Sequence, residues 1–341
     1  MKKPKILLIY TGGTIGMIKN PHTGALKAFD FDSLLDKIPE IRLLDCDIST
    51  IAFETPIDSS NMNPIYWKDI AKVIESNYAQ KDGIGVLHGS DTMSYTASAL
   101  SFMLENLDKP VIFTGSQLPI GDLRTDAKEN LITSIEIASL KKQGATVIRE
   151  VCLYFEYKLY RANRTTKINA EHFEAFESPN YPTLAESGVH LKVNQEFLRK
   201  ENFTEDLIVR TAMDTNIGIL KLFPGISQPI VKANLKTEGL KGLIIETYGS
   251  GNATTQDWFI NELNEAIERG IHIVNVTQCA GGSVSMGQYE TSAHLKKIGV
   301  ISGKDITTEA AVSKLMYLLG YKIEAKEFQY YFEKPLRGEM T

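Results

Sequence analysis

The stretch Lys5-Ile-Leu-Leu-Ile-Tyr-Thr-Gly-Gly-Thr-Ile-Gly16 decides the fold of this chain. Residues 6–9 form a continuous aliphatic run, which is typical of a strand buried on both faces of a sheet. Gly12, Gly13 and Gly16 end the run, and glycine allows the positive φ angles and close backbone approaches of a tight turn. In open α/β sheets, ligands bind at the carboxyl ends of the strands. The stretch therefore predicts a buried parallel strand with a small-molecule site at its end.

The predicted turn carries two hydroxyl groups, those of Thr11 and Thr14. On this stretch alone, a phosphate-cradling loop or a plain strand-to-helix turn is an equally good interpretation. However, the spacing G-G-x-x-G differs from both common phosphate-binding patterns, and no lysine follows that would neutralise a phosphate. These two details favour a small-molecule site in which threonine supplies the chemistry.

Strands and helices alternate along the first part of the chain. Buried strands predicted to end at Tyr10, Leu87 and Phe113 are followed by the turns Thr-Gly-Gly, His-Gly-Ser and Thr-Gly-Ser. Amphipathic helices are predicted between and after them, at about 64–78, 91–106 and 126–142. This alternation predicts a doubly wound, mostly parallel sheet with all three polar turns on one edge.

The domain organisation follows from where this pattern stops. A turn-rich polar stretch without a strong period leads us to predict a larger N-terminal α/β domain over residues 1–190 and a linker over 191–212. A smaller C-terminal α/β domain is predicted over 213–341. Its strands are predicted at 218–223, 243–247 and 271–277, and its helices at 258–269 and 308–319.

Composition excludes several classes of function. The formal charge of −5 and the scattered lysines and arginines argue against nucleic acid or an anionic membrane as the main partner. The three cysteines lie far apart, which fits a reducing compartment and offers no metal-ligand spacing. No apolar stretch approaches the roughly 20 residues of a membrane span. Only a six-residue apolar run follows Met1-Lys2-Lys3 before the glycines, so we expect no signal peptide and a cytoplasmic protein.

The residues that could carry chemistry are hydroxyls, carboxylates and one lysine, namely Thr11, Thr14, Ser59, Ser60, Ser90, Thr92, Asp58, Asp91 and Lys167. A threonine hydroxyl is a poor nucleophile unless a partner removes its proton. A lysine beside a carboxylate and a hydroxyl can do so by relay.

Each of these residues also has a purely structural interpretation. Ser90 and Asp91 are good helix caps, Asp58 suits an Asx turn, and Lys167 could be a solvated surface lysine. Their convergence on one sheet edge favours the site. For His88 we expect a structural role, because no nucleophile-elbow pattern accompanies it.

Two segments, Tyr10-Thr-Gly-Gly-Thr-Ile-Gly16 and His88-Gly-Ser-Asp-Thr-Met93, resemble the signature segments of the bacterial-type L-asparaginases. The resemblance covers nearly the whole chain and includes Asp58-Ser-Ser-Asn-Met62, Thr114-Gly-Ser-Gln117, Arg161-Ala-Asn-Arg-Thr-Thr-Lys167 and Gly249-Ser-Gly-Asn252. Each motif alone is weak, but the ordered set is specific. It implies hydrolysis of L-asparagine to L-aspartate and ammonia, no cofactor or metal, the cytoplasmic (type I) branch, and a dimer or tetramer.

The resemblance also implies roles for individual residues. Thr14 would be the nucleophile that forms an acyl-enzyme, and Ser90, Asp91 and Lys167 would form a hydroxyl–carboxylate–amine relay. Ser90 stands where the family more often has threonine. The substrate-binding set would be Asp58, Ser59, Ser60, Ser90, Asp91 and Ser116.

The sequence departs from the family pattern in three places. Ala25-Leu26 stands where many relatives have a loop tyrosine, and Ala162 replaces a usual glycine. Glu246 stands where some type I members use an arginine for a second asparagine site, which puts that regulatory site in doubt. As a replacement for the missing loop hydroxyl, Tyr289 in a glycine-rich segment is our hypothesis. Packing at an interface is its structural alternative.

Three other functions were weighed against asparagine hydrolysis. A broader asparagine/glutamine amidase remains open, because the sequence does not fix the preference between the two amides. The amidase part of a tRNA-dependent amidotransferase usually has an N-terminal extension, which this chain is not expected to have. A non-catalytic amino-acid sensor would have no need of Thr14, Asp91 and Lys167 together.

Overall fold

The first strand of the chain lies inside an eight-stranded sheet, as its aliphatic run predicts. The computed structural model describes residues 2–19, 26–28, 38–200, 205–287 and 290–341. Within it the chain forms two units, Met1–Thr211 and Ala212–Thr341. The strands of the large sheet are β1 (Lys5–Gly12), β2 (Asp47–Ile57), β3 (Gly83–Leu87), β4 (Val111–Thr114), β5 (Val151–Phe155), β6 (Lys158–Arg161), β7 (Ala185–Glu186) and β8 (Lys192–Val193).

The order of these strands is β8-β7-β6-β5-β4-β3-β1-β2. Neighbouring strands from β2 to β5 are parallel, whereas β6, β7 and β8 are added antiparallel at one side. The register pairs Tyr10 with Leu87 and Leu87 with Thr114. The carboxyl ends of β1, β3 and β4 are therefore level, which confirms the predicted mostly parallel sheet and brings the three polar turns to one edge.

Among the described residues of the first unit, the helices are α1 (Pro64–Tyr78), α2 (Met93–Met103) and α3 (Ala127–Ser139). Helix α1 matches its prediction, with Pro64 in the first turn and the Asn63 side chain accepting a hydrogen bond of 2.9 Å from the Ile65 amide. Helix α2 begins two residues later than predicted and ends earlier, because Leu104–Glu105 pairs as a short strand with Ile208–Val209. The sequence also predicts a short helical piece at 34–38, ended by Pro39, and all of it except Ile38 lies outside the described residues.

The core of the first unit forms where β1 and α3 share an apolar cluster. Ile6 and Leu8 of the strand pack with Leu131 and Ile135 of the helix, and all four side chains are fully buried. This packing fixes β1 between β2 and β3 and thereby fixes the position of the glycine turn at its end.

Part of the predicted linker at 191–212 belongs to the first unit. Lys192–Val193 is β8 at the edge of the large sheet, and Ile208–Val209 pairs antiparallel with Leu104–Glu105. The division into units falls between Thr211 and Ala212. Two-residue strands are too short to show any periodicity, so only their pairing with other strands identifies them.

The second unit contains a four-stranded parallel sheet, as a smaller α/β domain requires. In order, the strands are β9 (Ile217–Lys221), β10 (Gly242–Thr247), β11 (His272–Thr277) and β12 (Ile301–Ser302). The helices are α4 (Gln228–Leu235), α5 (Asp257–Glu268), α6 (Glu290–Lys297), α7 (Thr308–Gly320) and α8 (Ala325–Glu333). Among the described residues, no helix is sufficiently long and apolar to span a bilayer.

A buried ion pair fixes the last residues of the chain in the second unit. Lys314 of α7 and Glu339 are both fully buried, and the Lys314 ammonium donates to the Glu339 carboxylate and to the carbonyl oxygens of Phe332 and Lys334. The amides of Leu336 and Arg337 donate to the same carboxylate. Burial alone would raise the pKa of Glu339, but the ammonium and the amides outweigh it and hold the pKa below its ordinary value.

Replacing Glu339 should strongly destabilise the second unit. Glu339→Gln leaves the Lys314 ammonium buried without a counter-charge, and the expected loss in unfolding free energy is about 3–5 kcal/mol, measured by urea denaturation. Because the folded pKa of Glu339 is lowered, its contribution is complete at neutral pH and is lost as the pH falls through that pKa. The control is Glu324→Gln, which removes an exposed pair with Lys326 and should change little. Equal losses in the two variants would contradict the assignment.

Candidate active site

The turns after β1, β2 and β3 touch one another at the carboxyl edge of the large sheet. Gly13 has a φ of 89°, and a Cβ atom placed on it would lie 2.5 Å from the Cα of Gly89. A Cβ atom on Gly89 would lie 2.5 Å from the Ser59 hydroxyl oxygen. Side chains at either position are therefore excluded, and the absence of side chains lets the three turns close on one another.

Lys167 meets Ser90 and Asp91 at this edge, across more than 70 residues of sequence. Its Nζ donates hydrogen bonds of 2.9 Å to Ser90 Oγ and 2.6 Å to Asp91 Oδ1. The Lys167 side chain is 17% exposed, whereas that of Asp91 is 65% exposed. The lysine is thus mostly enclosed and ion-paired, with its partner carboxylate open to solvent.

The structural alternatives for these three residues do not hold. Ser90 and Asp91 belong to a short 3₁₀ turn, Ser90–Thr92, that precedes helix α2. Thr92 occupies the N-cap position of the helix and makes no side-chain capping bond there. Its hydroxyl donates instead to the carbonyl oxygen of Ser59, at 2.7 Å. Neither Ser90 nor Asp91 is therefore a helix cap, and Lys167 is not a solvated surface lysine.

The segment that carries Lys167 is held by bonds to its own turn and to α2. Thr165 Oγ1 is 2.7 Å from the carbonyl oxygen of Ala162, to which it donates, and 3.3 Å from Ser94 Oγ on α2. Thr166–Lys167 then pairs antiparallel with Phe176–Glu177. These contacts orient the lysine toward the turn that begins α2.

Gln117 is a residue of the site to which the sequence analysis assigned no role. Its side-chain oxygen accepts a hydrogen bond of 3.0 Å from Ser90 Oγ, and its side-chain nitrogen donates to the carbonyl oxygen of His172 at 3.0 Å. Gln117 thereby fixes the direction of the Ser90 hydroxyl. The sequence contains a signal for this residue, because Gln117 is the last residue of the motif Thr114-Gly-Ser-Gln117 after β4.

Asp58 and Ser60 form the Asx turn that the sequence offered as an alternative. Asp58 Oδ1 accepts from the Ser60 hydroxyl at 2.7 Å and from the Ser60 amide at 2.9 Å. These two bonds lower the pKa of Asp58, so its exposed carboxylate is charged at neutral pH. Ser59, between them, is buried. The turn role does not exclude binding, because the carboxylate remains open to solvent.

Two predicted hydroxyls point into the protein. Thr11 Oγ1 donates to the carbonyl oxygen of Leu87 at 2.9 Å, and Ser116 Oγ donates to that of Leu118 at 2.6 Å. Both residues are 1% exposed. The Thr11 hydroxyl therefore ties the first turn to β3. The Ser116 hydroxyl donates to backbone, and the expected contact of Ser116 with substrate stays a prediction.

Thr14 begins a 3₁₀ turn, Thr14–Gly16, directly after Gly13. It is partly exposed, while the next residue, Ile15, is fully buried and anchors the turn. Beyond the turn, Met17–Lys19 pairs antiparallel with Leu26–Ala28. Ala25 and Tyr289 lie outside the described residues, so the hypothesis about the missing loop hydroxyl stays a prediction.

His88 is fully buried beneath the site and has the geometry of a structural residue. Desolvation lowers its pKa to about 4, so the ring is neutral at pH 7. Its Nδ1 lies 2.7 Å from the carbonyl oxygen of Gly89. Because a carbonyl oxygen can only accept, Nδ1 carries the proton and holds the Gly89 carbonyl in place.

Two further expectations concern ligands other than the substrate. Within the described ranges, no three His, Cys, Asp or Glu side chains are grouped to hold a metal ion. In the second unit, the Glu246 carboxylate accepts from Thr308 Oγ1 at 2.8 Å and lies 3.4 Å from the Lys221 ammonium. It stays a prediction that Glu246 argues against a regulatory asparagine site at this position.

Comparison with known proteins relates both parts of the chain to one family. Residues 5–199 match the family described as "Asparaginase, N-terminal", and residues 216–332 match "Glutaminase/Asparaginase C-terminal domain". The chain is 43% identical to L-asparaginase 1 of Escherichia coli K12, over all of this chain and 99% of that protein. It is 41% identical to the 60 kDa lysophospholipase of Mus musculus, over 99% of this chain and 62% of the longer protein.

Solved structures agree with these sequence matches. L-asparaginase I from Vibrio cholerae superimposes with a TM-score of 0.91 at 39% identity, over all of both chains. The thermostable L-asparaginase from Thermococcus kodakarensis gives a TM-score of 0.89 at 30% identity, over 99% of both chains. Family matches across both units, full-length relatives and the shared fold lead to one conclusion: the chain belongs to the asparaginase family.

Proposed function

We propose that the protein hydrolyses L-asparagine to L-aspartate and ammonia through an acyl-enzyme on Thr14. The observation that carries the proposal is the contact of the Lys167 ammonium with both the Ser90 hydroxyl and the Asp91 carboxylate. Ser90 and Asp91 lie on the turn that contains Gly89. Gly89 contacts Gly13, which is the residue before Thr14. The full-length relatives named L-asparaginase add support for asparagine as the substrate.

In the proposed reaction, Lys167 acts as the neutral amine. Thr14 Oγ1 attacks the side-chain amide carbon, its proton passes to Ser90 Oγ, and the Ser90 proton passes to Lys167 Nζ. Asp91 stabilises the positive charge on the lysine through their ion pair. The carbonyl oxygen gains negative charge, which backbone amides around Gly13 and Ser90 would stabilise, and each such donor is worth about 3 kcal/mol in comparable sites. The relay returns the proton to the amide nitrogen as the C–N bond breaks and ammonia leaves. Water then attacks the ester carbon, releases aspartate and restores the Thr14 hydroxyl.

The charges of the site match the two ends of an amino acid. Asp58 is an exposed carboxylate with a lowered pKa. The carboxylate of Asp91 is exposed as well, so the site attracts a positively charged α-ammonium. Ser59 and the turn around it would bind the α-carboxylate through hydroxyl and amide donors. Ser116, whose hydroxyl donates to the Leu118 carbonyl oxygen, stays a proposed member of the substrate-binding set.

We also propose that the protein acts in the cytoplasm as a homo-oligomer, either a dimer or a tetramer. The support is the similarity to L-asparaginase 1 of Escherichia coli, together with the chain's ordinary globular composition. Light scattering coupled to size-exclusion chromatography gives the mass directly, and a monomer at micromolar concentration would contradict the proposal.

The direct test is ammonia release from L-asparagine and L-glutamine by the wild type and Thr14→Ala. Wild-type release from asparagine is expected, with a loss of about 10⁴-fold or more in kcat in the variant, because the attacking oxygen is removed. Thr14→Ser keeps the hydroxyl and should retain much more activity. A Thr14→Ala enzyme with a tenth of wild-type kcat would show that the nucleophile is another residue, and release from neither amide by the wild type would end the amidase proposal.

Lys167→Met should abolish turnover nearly as completely, while substrate binding survives better. Methionine keeps much of the side-chain volume but cannot accept or return a proton, so kcat should fall far more than KM rises. Steady-state kinetics and calorimetry with aspartate separate the two effects. Lys158→Met, an exposed lysine of β6, is the control and should leave both constants unchanged. Lost binding with an unchanged kcat would assign Lys167 to recognition instead.

Tyr289→Phe tests the source of the missing loop hydroxyl. If Tyr289 polarises Thr14, kcat should fall by about 10²-fold, the low end for a lost acid–base partner, with little change in thermal stability. The matched control is Tyr330→Phe, since Tyr330 is an exposed residue of α8. A wild-type kcat for Tyr289→Phe would leave Thr14 dependent on Lys167 alone.

A further inference from the structure

A cavity of about 370 Å³ lies in the first unit, at the amino edge of the large sheet. This edge is opposite the one that carries the candidate active site. Six of the residues that line the cavity are lysines, namely Lys2, Lys3, Lys5, Lys81, Lys109 and Lys141. The chain as a whole has a net charge of −5, so this concentration of positive charge runs against the overall balance.

The parallel sheet explains why lysines so distant in sequence meet here. Lys5 begins β1, Lys81 lies just before β3, and Lys109 lies just before β4. The register pairs Ile6 with Gly83 and Ile84 with Val111, so the amino ends of the three strands are level. Residues that lead into these strands therefore collect at one edge, as the catalytic candidates do at the other.

The lysines are poorly neutralised by the protein. Asp82 is the one carboxylate in the lining, and it pairs with Lys141 at 2.8 Å. Lys81 donates to the hydroxyl of Ser49 at 2.6 Å, which is a neutral partner. Within the described part of the chain, the ammonium groups of Lys2 and Lys5 have no carboxylate partner. A second carboxylate, that of Asp45 outside the cavity lining, compensates Lys3 at 3.1 Å through an exposed pair.

A purely structural role accounts for only part of the cluster. Lys109 Nζ donates to the carbonyl oxygen of Tyr78 at 2.6 Å, and Tyr78 is the last residue of α1. A lysine at a helix C-terminus satisfies a free carbonyl and the helix dipole. That explanation covers one lysine, whereas six share the cavity, and their mutual repulsion favours an anion between them.

We propose that this cavity binds a compact, multivalent oxyanion of the phosphate class. Lysine ammonium groups bind phosphate oxygens as point charges with several donors each. The volume lies within the usual range for small-ligand sites. None of the described lining residues is aromatic, so the walls offer no stacking surface for a nucleobase. The phosphate groups themselves are the recognised feature, whether inorganic or part of a nucleotide.

Isothermal titration calorimetry of the full-length protein at 0.15 M salt tests the proposal with sodium tripolyphosphate, ATP and adenosine. We expect saturable one-to-one binding of tripolyphosphate and of ATP, and no binding of adenosine. Tripolyphosphate binding without ATP binding would identify a free phosphate chain as the ligand. ATP binding without tripolyphosphate binding would contradict the proposal that the site recognises the phosphate groups alone.

Two pairs of substitutions locate the binding. Lys81→Gln with Lys109→Gln should weaken tripolyphosphate binding at least tenfold, because two ammonium groups leave the cavity while glutamine can still donate to their neutral partners. Lys2→Gln with Lys3→Gln should act in the same direction, and this pair keeps the test valid if the first variant unfolds. The control, Lys68→Gln with Lys72→Gln, removes the same charge from the exposed face of α1 and should change the Kd less than twofold.

Three outcomes would overturn the proposal. The first is an equal loss of affinity in the control, which would indicate a general charge effect. The second is the absence of saturable tripolyphosphate binding to the wild type at 0.15 M salt. The third is weak tripolyphosphate binding beside tight binding of single-stranded RNA that strengthens with length, which would indicate an extended polyanion surface. None of these measurements involves ammonia release, so they are independent of the proposed function.

Discussion

The contact between the backbones of Gly13 and Gly89 is the constraint on which the candidate site depends. A side-chain carbon on Gly13 would lie 2.5 Å from Gly89 Cα, and one on Gly89 would lie 2.5 Å from the Ser59 hydroxyl oxygen. The backbones of the first and third turns therefore touch directly at Gly13 and Gly89, and only glycine, which has no side chain, allows this approach. Because the first turn leads directly into Thr14 and the third into Ser90 and Asp91, the same contact places the proposed nucleophile beside the proposed relay.

The level strand ends have an electrostatic consequence at both edges of the large sheet. At the carboxyl edge, Asp58 and Asp91 are exposed carboxylates, and the enclosed Lys167 balances one of them. At the amino edge, lysines outnumber carboxylates in one cavity. A parallel sheet lines up everything that precedes its strands at one edge and everything that follows them at the other. Two sites of opposite charge can therefore form on one sheet without any contact between them.

Burial determines the chemical role of the polar residues around the candidate site. His88 is adjacent to the relay in sequence, yet desolvation keeps its ring neutral and its proton bonded to Gly89, so it shapes the turn. Thr11 and Ser116 carry hydroxyls similar to that of Thr14, but theirs are bonded to backbone carbonyls. Gln117, by contrast, aligns Ser90 through a side-chain bond. Among the candidate hydroxyls, that of Thr14 belongs to a residue that is partly exposed.

The sequence by itself determined most of the parallel strands, the main helices and the edge on which the candidate site would lie. Aliphatic runs such as residues 6–9 and 83–87 are local signals, and each is followed by a turn whose glycines mark its end. The helix Pro64–Tyr78 was predictable for the same reason, since its apolar spacing and its Asn63 cap are both local. The ordered motifs further singled out Thr14, Ser90, Asp91 and Lys167.

Tertiary structure alone decided which interpretation of those residues holds and what the unpatterned segments do. Whether Ser90 and Asp91 cap a helix or bind Lys167 depends on a contact across more than 70 residues. The strand at Ile208–Val209 and the buried pair of Lys314 with Glu339 likewise depend on partners that are not their neighbours in sequence. The physical reason is the same in each case: local patterns report the conformation of neighbouring residues, whereas the burial and charge of a side chain are set by whatever the fold places against it.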